Sequence, residues 1–66
     1  MTKHNNLNYE RIMDFIRKNK VVTTGEVAEF LKISWNTANS WLLNLALKKK
    51  IELIKKEGGL NLWLKK

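Results

Sequence analysis

Val22-Thr23-Thr24-Gly25-Glu26-Val27-Ala28-Glu29-Phe30-Leu31-Lys32-Ile33-Ser34-Trp35-Asn36-Thr37-Ala38 is the stretch on which the reading of this chain turns. Thr23 and Glu26 stand three positions apart. That is the spacing of a capping box, in which each side chain takes up a backbone N–H at the start of a helix. Val27, Ala28, Phe30 and Leu31 then supply one apolar face for a short helix over residues 24–31. Lys32-Ile33 forms a turn, and Ser34 stands where it can cap a further helix. Two short helices joined by a tight turn are expected.

Upstream, Tyr9, Ile12, Met13 and Ile16 repeat at i, i+3, i+4 and i+7, and Phe15 widens the stripe, so a first helix is predicted over 7–19. Asn6 or Asn8 caps its start, and Asn19 ends it in a left-handed conformation. Residues 1–6 read as a disordered tail and 7–66 as a single domain. Lys20-Val21-Val22 reads as a short extended piece. Downstream, Ala38, Trp41, Leu42 and Leu45 form the core stripe of the third helix, which runs to Lys48 or Lys49, where lysines suit the negative end of the helix dipole. Residues 51–56 and 60–64 read as strands around a Glu57-Gly58-Gly59 hairpin turn. In the second strand Leu60, Leu62 and Leu64 alternate with Asn61 and Trp63, so the leucines are expected to face inward. Trp63 then covers the back of the first helix or lies in a subunit interface.

The fold class expected is mainly α with a small β-sheet. The order and lengths of the elements over residues 7–65 resemble the winged helix-turn-helix domains of small bacterial and archaeal, or archaeal viral, transcription regulators. The resemblance is carried by Ile12-Met13-Asp14-Phe15-Ile16, by residues 22–31, by Ile33-Ser34-Trp35-Asn36-Thr37-Ala38, by Leu42, Leu45 and Ile51, and by Gly58-Gly59 at the wing tip. It implies three helices, a C-terminal β-hairpin wing, DNA binding and often dimerisation. Two features depart from the family pattern. Lys48-Lys49-Lys50 stands where many relatives carry a glycine, and residues 34–47 contain no charged side chain.

Charge points the same way. The chain has 66 residues and a formal net charge of +7. So large an excess on so small a body calls for an acidic partner. Residues 34–66 hold seven lysines and two glutamates, so the positive field lies mainly on the second half. A helix-turn-helix lays its second helix in the major groove, with the first residues of that helix on base edges. Asn36, Asn39, Ser40 and Leu43 are the candidate base contacts: Asn pairs with the adenine edge and Leu43 meets a thymine methyl, so A·T pairs are expected to be favoured. Lys32, Ser34, Trp35, Thr37, Asn44, Lys48, Lys55 and Lys56 are the candidate contacts to the DNA backbone. Trp35 either packs beside the sugar-phosphate chain or covers the turn, and Trp41 packs in the core.

The expected function is sequence-specific double-stranded DNA binding by a transcription regulator, with helix 34–49 in the major groove and hairpin 51–64 as the wing. Residues 41–47 are apolar on nearly every side, so Leu43 and Leu47 need covering by the rest of the fold or by a second copy, and a homodimer is expected. A protein-interaction winged helix is the first alternative. Binding of RNA or single strands, with Trp35 or Trp63 stacking on bases, is the second. No enzyme, cofactor, metal or small-molecule ligand is expected. Cysteine is absent, His4 is the one histidine, and there is no glycine-rich phosphate loop. No segment reaches the roughly 20 apolar residues that span a bilayer, and Met1–Asn6 lacks the apolar run of a signal peptide, so a cytoplasmic, nucleoid-associated protein is expected.

Overall fold

The computed structural model describes the backbone of residues 3–66 and the side chains of residues 8–66. Helix α1 spans Lys3–Asn19, β1 Val21–Thr23, α2 Thr24–Leu31, α3 Trp35–Leu47, β2 Ile51–Lys55 and β3 Asn61–Lys65, with a short 3₁₀ turn at Glu57–Gly59 between the last two strands. Three helices and a small antiparallel sheet make this a winged helix-turn-helix. The helix starts at Lys3 rather than Leu7, which places Asn6 and Asn8 inside it and not at its cap. Met1 and Thr2, within the segment expected to be a tail, lie outside the described residues.

Each helix is bounded by its own chemistry. At the start of α2 the Glu26 N–H donates to Thr23 Oγ1 (3.1 Å) and the Thr23 N–H donates to Glu26 Oε1 (2.9 Å), the capping box expected from the sequence. At the start of α3 the Thr37 N–H donates to Ser34 Oγ (3.1 Å). The three helix ends share a device that the sequence did not announce: a lysine in the left-handed region. Lys20 has φ 70°, Lys32 φ 59° and Lys49 φ 62°. The Lys20 N–H returns to the Ile16 carbonyl (2.7 Å), closing α1. After α2, the Ile33 N–H reaches the Ala28 carbonyl (3.0 Å). After α3, the Lys50 N–H reaches that of Leu45 (3.0 Å). The last two are the six-to-one bonds of a Schellman motif, normally built on glycine. Asn19 is therefore not the left-handed residue. It stays helical and uses its side chain instead, Nδ2 donating to the Phe15 carbonyl (2.8 Å). Lys48, Lys49 and Lys50 lie beyond α3, not in its last turn.

The sheet has the order β1-β3-β2, antiparallel throughout. The wing hairpin thus gains a third strand from the segment before α2. The central strand β3 sits in the opposite sense to the sequence reading. Trp63 is 0% exposed and belongs to the core with Ile12, Ile16, Val22, Leu42 and Ile51. Leu62 and Leu64 are half-buried and Leu60 is exposed. A strand presents alternate residues to opposite faces, so facing one residue inward turns the whole set. The tryptophan wins because it removes more apolar area from water than any leucine. Its indole N–H, moreover, finds an acceptor inside the core: Nε1 donates to Thr24 Oγ1 at 2.8 Å, and Thr24 is itself buried.

In α3, Ala38, Leu42 and Leu45 are buried as expected. Trp41 is half-buried, packed against the core with its ring edge-on to Tyr9 at 6.4 Å. Leu43 and Leu47 are not covered by the fold. Leu47 is 78% exposed, so the all-round apolar character of 41–47 does not translate into all-round burial within one copy.

Two outcomes follow from these contacts. Thr24→Val strands the Trp63 indole N–H in the core and should lower stability by about 1–3 kcal/mol in urea unfolding, whereas Thr24→Ser, which keeps the hydroxyl, should cost less. Lys49→Gly removes a left-handed penalty of about 1 kcal/mol and should raise the thermal midpoint by a few degrees without altering the circular dichroism spectrum.

Candidate nucleic-acid interface

The unit α2–turn–α3 presents α3 to solvent along one line. Asn36, Ser40, Leu43 and Leu47 recur at i, i+4, i+7 and i+11, and all four are exposed. Leu43 is 42% exposed at the middle of this line. Three of the four predicted base contacts, Asn36, Ser40 and Leu43, therefore share one accessible stripe. Asn39 does not sit squarely on it. It is half-buried, and its Oδ1 is buried without a hydrogen-bond partner. Asn44 is exposed on the opposite flank.

The start of α3 is built from Ser34 and Thr37. Besides accepting the Thr37 N–H, the Ser34 hydroxyl donates to Thr37 Oγ1 (2.9 Å). The first main-chain bond of the helix is the Ala38 N–H to the Ser34 carbonyl (3.0 Å). The N–H groups of Trp35 and Asn36 thus stand outside the main-chain ladder at the positive end of the helix, where an anion is favoured. Trp35 is 49% exposed beside them.

The cations sit around this stripe unequally. Lys32 is exposed in the turn, and Lys55 and Lys56 are exposed at the end of β2. The Lys56 N–H donates to the Leu60 carbonyl (2.8 Å), closing the wing loop, and Gly58 and Gly59 turn it at φ 84° and 80°. Lys48 is placed differently from the other predicted contacts: its Nζ lies 5.4 Å from the Tyr9 ring centroid, folded back over α1. Four of the six acidic residues, Glu10, Asp14, Glu26 and Glu29, lie on α1 and α2. Both arginines are also on α1 and are engaged there: Arg17 pairs with Asp14, and Arg11 lies over the Phe30 ring at 5.3 Å. The turn after α2, the segment after α3 and the wing loop each carry exposed lysines.

Two surface features escaped the sequence reading. Phe15 and Phe30 stack at 4.3 Å between centroids across α1 and α2, a contact between residues too far apart in the chain for periodicity to pair. An open groove of about 540 Å³ runs between α1 and the end of α3, lined by Tyr9, Met13, Asp14, Leu45, Lys48 and Lys50 among others. Among the described residues no three His, Cys, Asp or Glu side chains converge as metal ligands would, and no helix is long and apolar enough to cross a membrane.

No curated protein matches the sequence. A family model described as FaeA-like protein matches residues 8–64, which takes in most of α1, all of α2 and α3, and the wing as far as Leu64. The chain belongs to the FaeA-like family, whose members are winged-helix regulators of the helix-turn-helix type.

Proposed function

We propose that this chain is a sequence-specific double-stranded DNA-binding protein that regulates transcription as a homodimer. Helix α3 enters the major groove, and the β2–β3 hairpin lies along the backbone as the wing. The observation that carries this reading is the uncharged stripe Asn36, Ser40 and Leu43 on an accessible helix, with exposed lysines at both neighbouring elements, Lys32 in the turn and Lys55 and Lys56 on the wing. A neutral polar helix reads base edges, and ammonium groups supply affinity by releasing counterions from phosphates. Asn36 and Ser40 make the base contacts, with Leu43 against a thymine methyl and Asn39 beside them. Ser34, Trp35, Thr37 and Asn44 line the path of the backbone. Lys48 joins them only by leaving Tyr9. The protein performs no chemistry on its partner and acts in the cytoplasm on the nucleoid.

A protein-interaction role has one observation in its favour, the exposure of Leu43 and Leu47 on the same helix. The excess of lysine on the same half of the chain weighs against it. Single-strand or RNA binding loses half its support with Trp63, since a fully buried indole cannot stack on a base.

Binding to duplexes selected from a random pool, compared with single strands and RNA, tests the reading directly. Asn36→Ala with Ser40→Ala should relax sequence preference, with each lost contact changing discrimination by about 1–3 kcal/mol. Lys55→Ala with Lys56→Ala should weaken binding to every duplex and flatten the slope of log affinity on log salt by about 1 to 2. Equal affinity of the unaltered protein for all duplexes, or duplex binding indifferent to both pairs, would reject the proposed docking.

A further inference from the structure

The end of the sheet away from the wing tip gathers cations that lie far apart in the chain. The register brings them together. Lys65 pairs with Ile51, the residue after Lys50, and the Lys66 N–H donates to the Lys50 carbonyl (3.4 Å). On the other edge Val21 pairs with Leu64, so Lys20, one step before Val21, stands at the same end as Lys65. The groove beside α1 carries Lys48 and Lys50 on its walls, a second depression carries Lys20 and Lys65, and Arg17 lines both. With Lys49 between its neighbours, seven basic residues gather at this end. The acidic groups beside them are Glu10 and Asp14 on the groove wall and Glu52 one row into the sheet, and Asp14 is already engaged by Arg17.

The helix dipole explains part of this cluster. Helices α1 and α3 both end here, and cations suit their carbonyl ends. That covers Arg17 and Lys48. It does not cover Lys65 and Lys66, which close the last strand, where peptide dipoles alternate and nearly cancel. Two of the lysines are moreover held against the backbone. Lys20 and Lys49 sit at positive φ, where glycine costs less, and the chain does use glycine for that conformation at Gly58 and Gly59. The third left-handed lysine, Lys32, stands in the turn assigned above to phosphate. Like charges so crowded also repel one another, which weakens a small fold. Strain and repulsion held together at one exposed place point to a functional surface.

We propose that this end of the sheet is a second, sequence-blind surface for the phosphate backbone of duplex DNA, so that one copy of the chain ties two duplex segments together. The inference rests on the DNA-binding reading above and extends it. Position favours a second segment over the first. The cluster lies at the end of α3 remote from Trp35, thirteen residues or about 20 Å along the helix. It also lies at the end of β2 remote from Lys55, Lys56 and the wing tip, five residues or about 17 Å along the strand. A duplex gripped by the start of α3 and the wing tip leaves it open. Chemistry favours phosphate. Ammonium groups are point charges that neutralise a row of phosphates without reading bases. Lys20, Lys49, Lys50, Lys65 and Lys66 are all exposed, and none is ion-paired among the described residues. Drawn from three separate segments, they spread over a length that suits an extended polyanion.

Bridging is read by the capture of a fluorescent duplex on beads that carry a second duplex, in the presence of the whole chain. Binding to one short duplex is followed alongside by fluorescence anisotropy. Lys20→Asn, Lys65→Gln and Lys66→Gln together remove three charges, and asparagine keeps the left-handed backbone, so circular dichroism should not change. The triple variant should lower bridging at least about ten-fold and flatten its slope on log salt by about 2 to 3, while one-duplex affinity stays within about two-fold. Arginine at the same three positions should restore bridging. Bridging that survives in the triple variant would overturn the surface assigned here and leave a homodimer with two α3 readers as its cause. A triple variant that loses one-duplex affinity would place the cluster on the first duplex and end the bridging. Capture that fails with the unaltered chain, or tighter retention on phosphatidylserine vesicles than on duplex beads, would reject the second DNA surface outright. Failure of the α3 reading looks different: duplex binding would then ignore the substitutions at Asn36, Ser40, Lys55 and Lys56 and vanish in the triple variant, which removes the bridging along with that reading.

Discussion

The hydrogen bond from the Trp63 indole to the Thr24 hydroxyl ties the start of α2 to the central strand, 39 positions later in the chain. Thr24 is the first residue of α2 and follows the capping residue Thr23; Trp63 is the centre of the central strand. An indole N–H buried without an acceptor is costly, and so is a buried hydroxyl without a partner. Each group makes the burial of the other tolerable. The contact fixes where the helix-turn-helix begins relative to the sheet, and thereby where α3 stands relative to the wing.

The rest of the architecture depends on that placement. With Trp63 inside, β3 pairs on both edges, with β1 before α2 and with β2 after α3. The wing is thus anchored to the segment that launches the helix-turn-helix. In a domain of this size little apolar surface is available, and one tryptophan is a large share of it. The outer leucines are the consequence: the strand cannot bury both sets. What is gained in the core appears as an apolar face outside, and a face of this kind in so small a protein is either covered or a liability for aggregation.

Local signals in the sequence were strong where the physics is local. The capping box at Thr23 and Glu26, the Ser34 cap, the turn at Lys32-Ile33 and the glycine-rich wing tip depend on residues within a few positions of each other, and each formed as read. The same holds for part of the candidate interface. Asn36, Ser40 and Leu43 share a stripe because helical spacing alone puts them there. Asn39 and Lys48 depend on neighbours from elsewhere. One is drawn partly into the fold and the other lies over the Tyr9 ring, and no feature of residues 34–49 taken alone announces either. The left-handed lysines were also missed, since glycine or asparagine is the usual signal for that conformation.

By itself, then, the sequence determined the order of the elements, the starts of α2 and α3, the core line of α3 and the strongly basic second half, all of which follow from spacing and composition. Only the tertiary structure decided which face of β3 turned inward. Leucines at 60, 62 and 64 and tryptophan at 63 satisfy the same two-residue period in opposite senses, and the strand carries no means of choosing between them. The choice rested on an acceptor 39 positions earlier in the chain, which becomes a neighbour only when the whole domain closes.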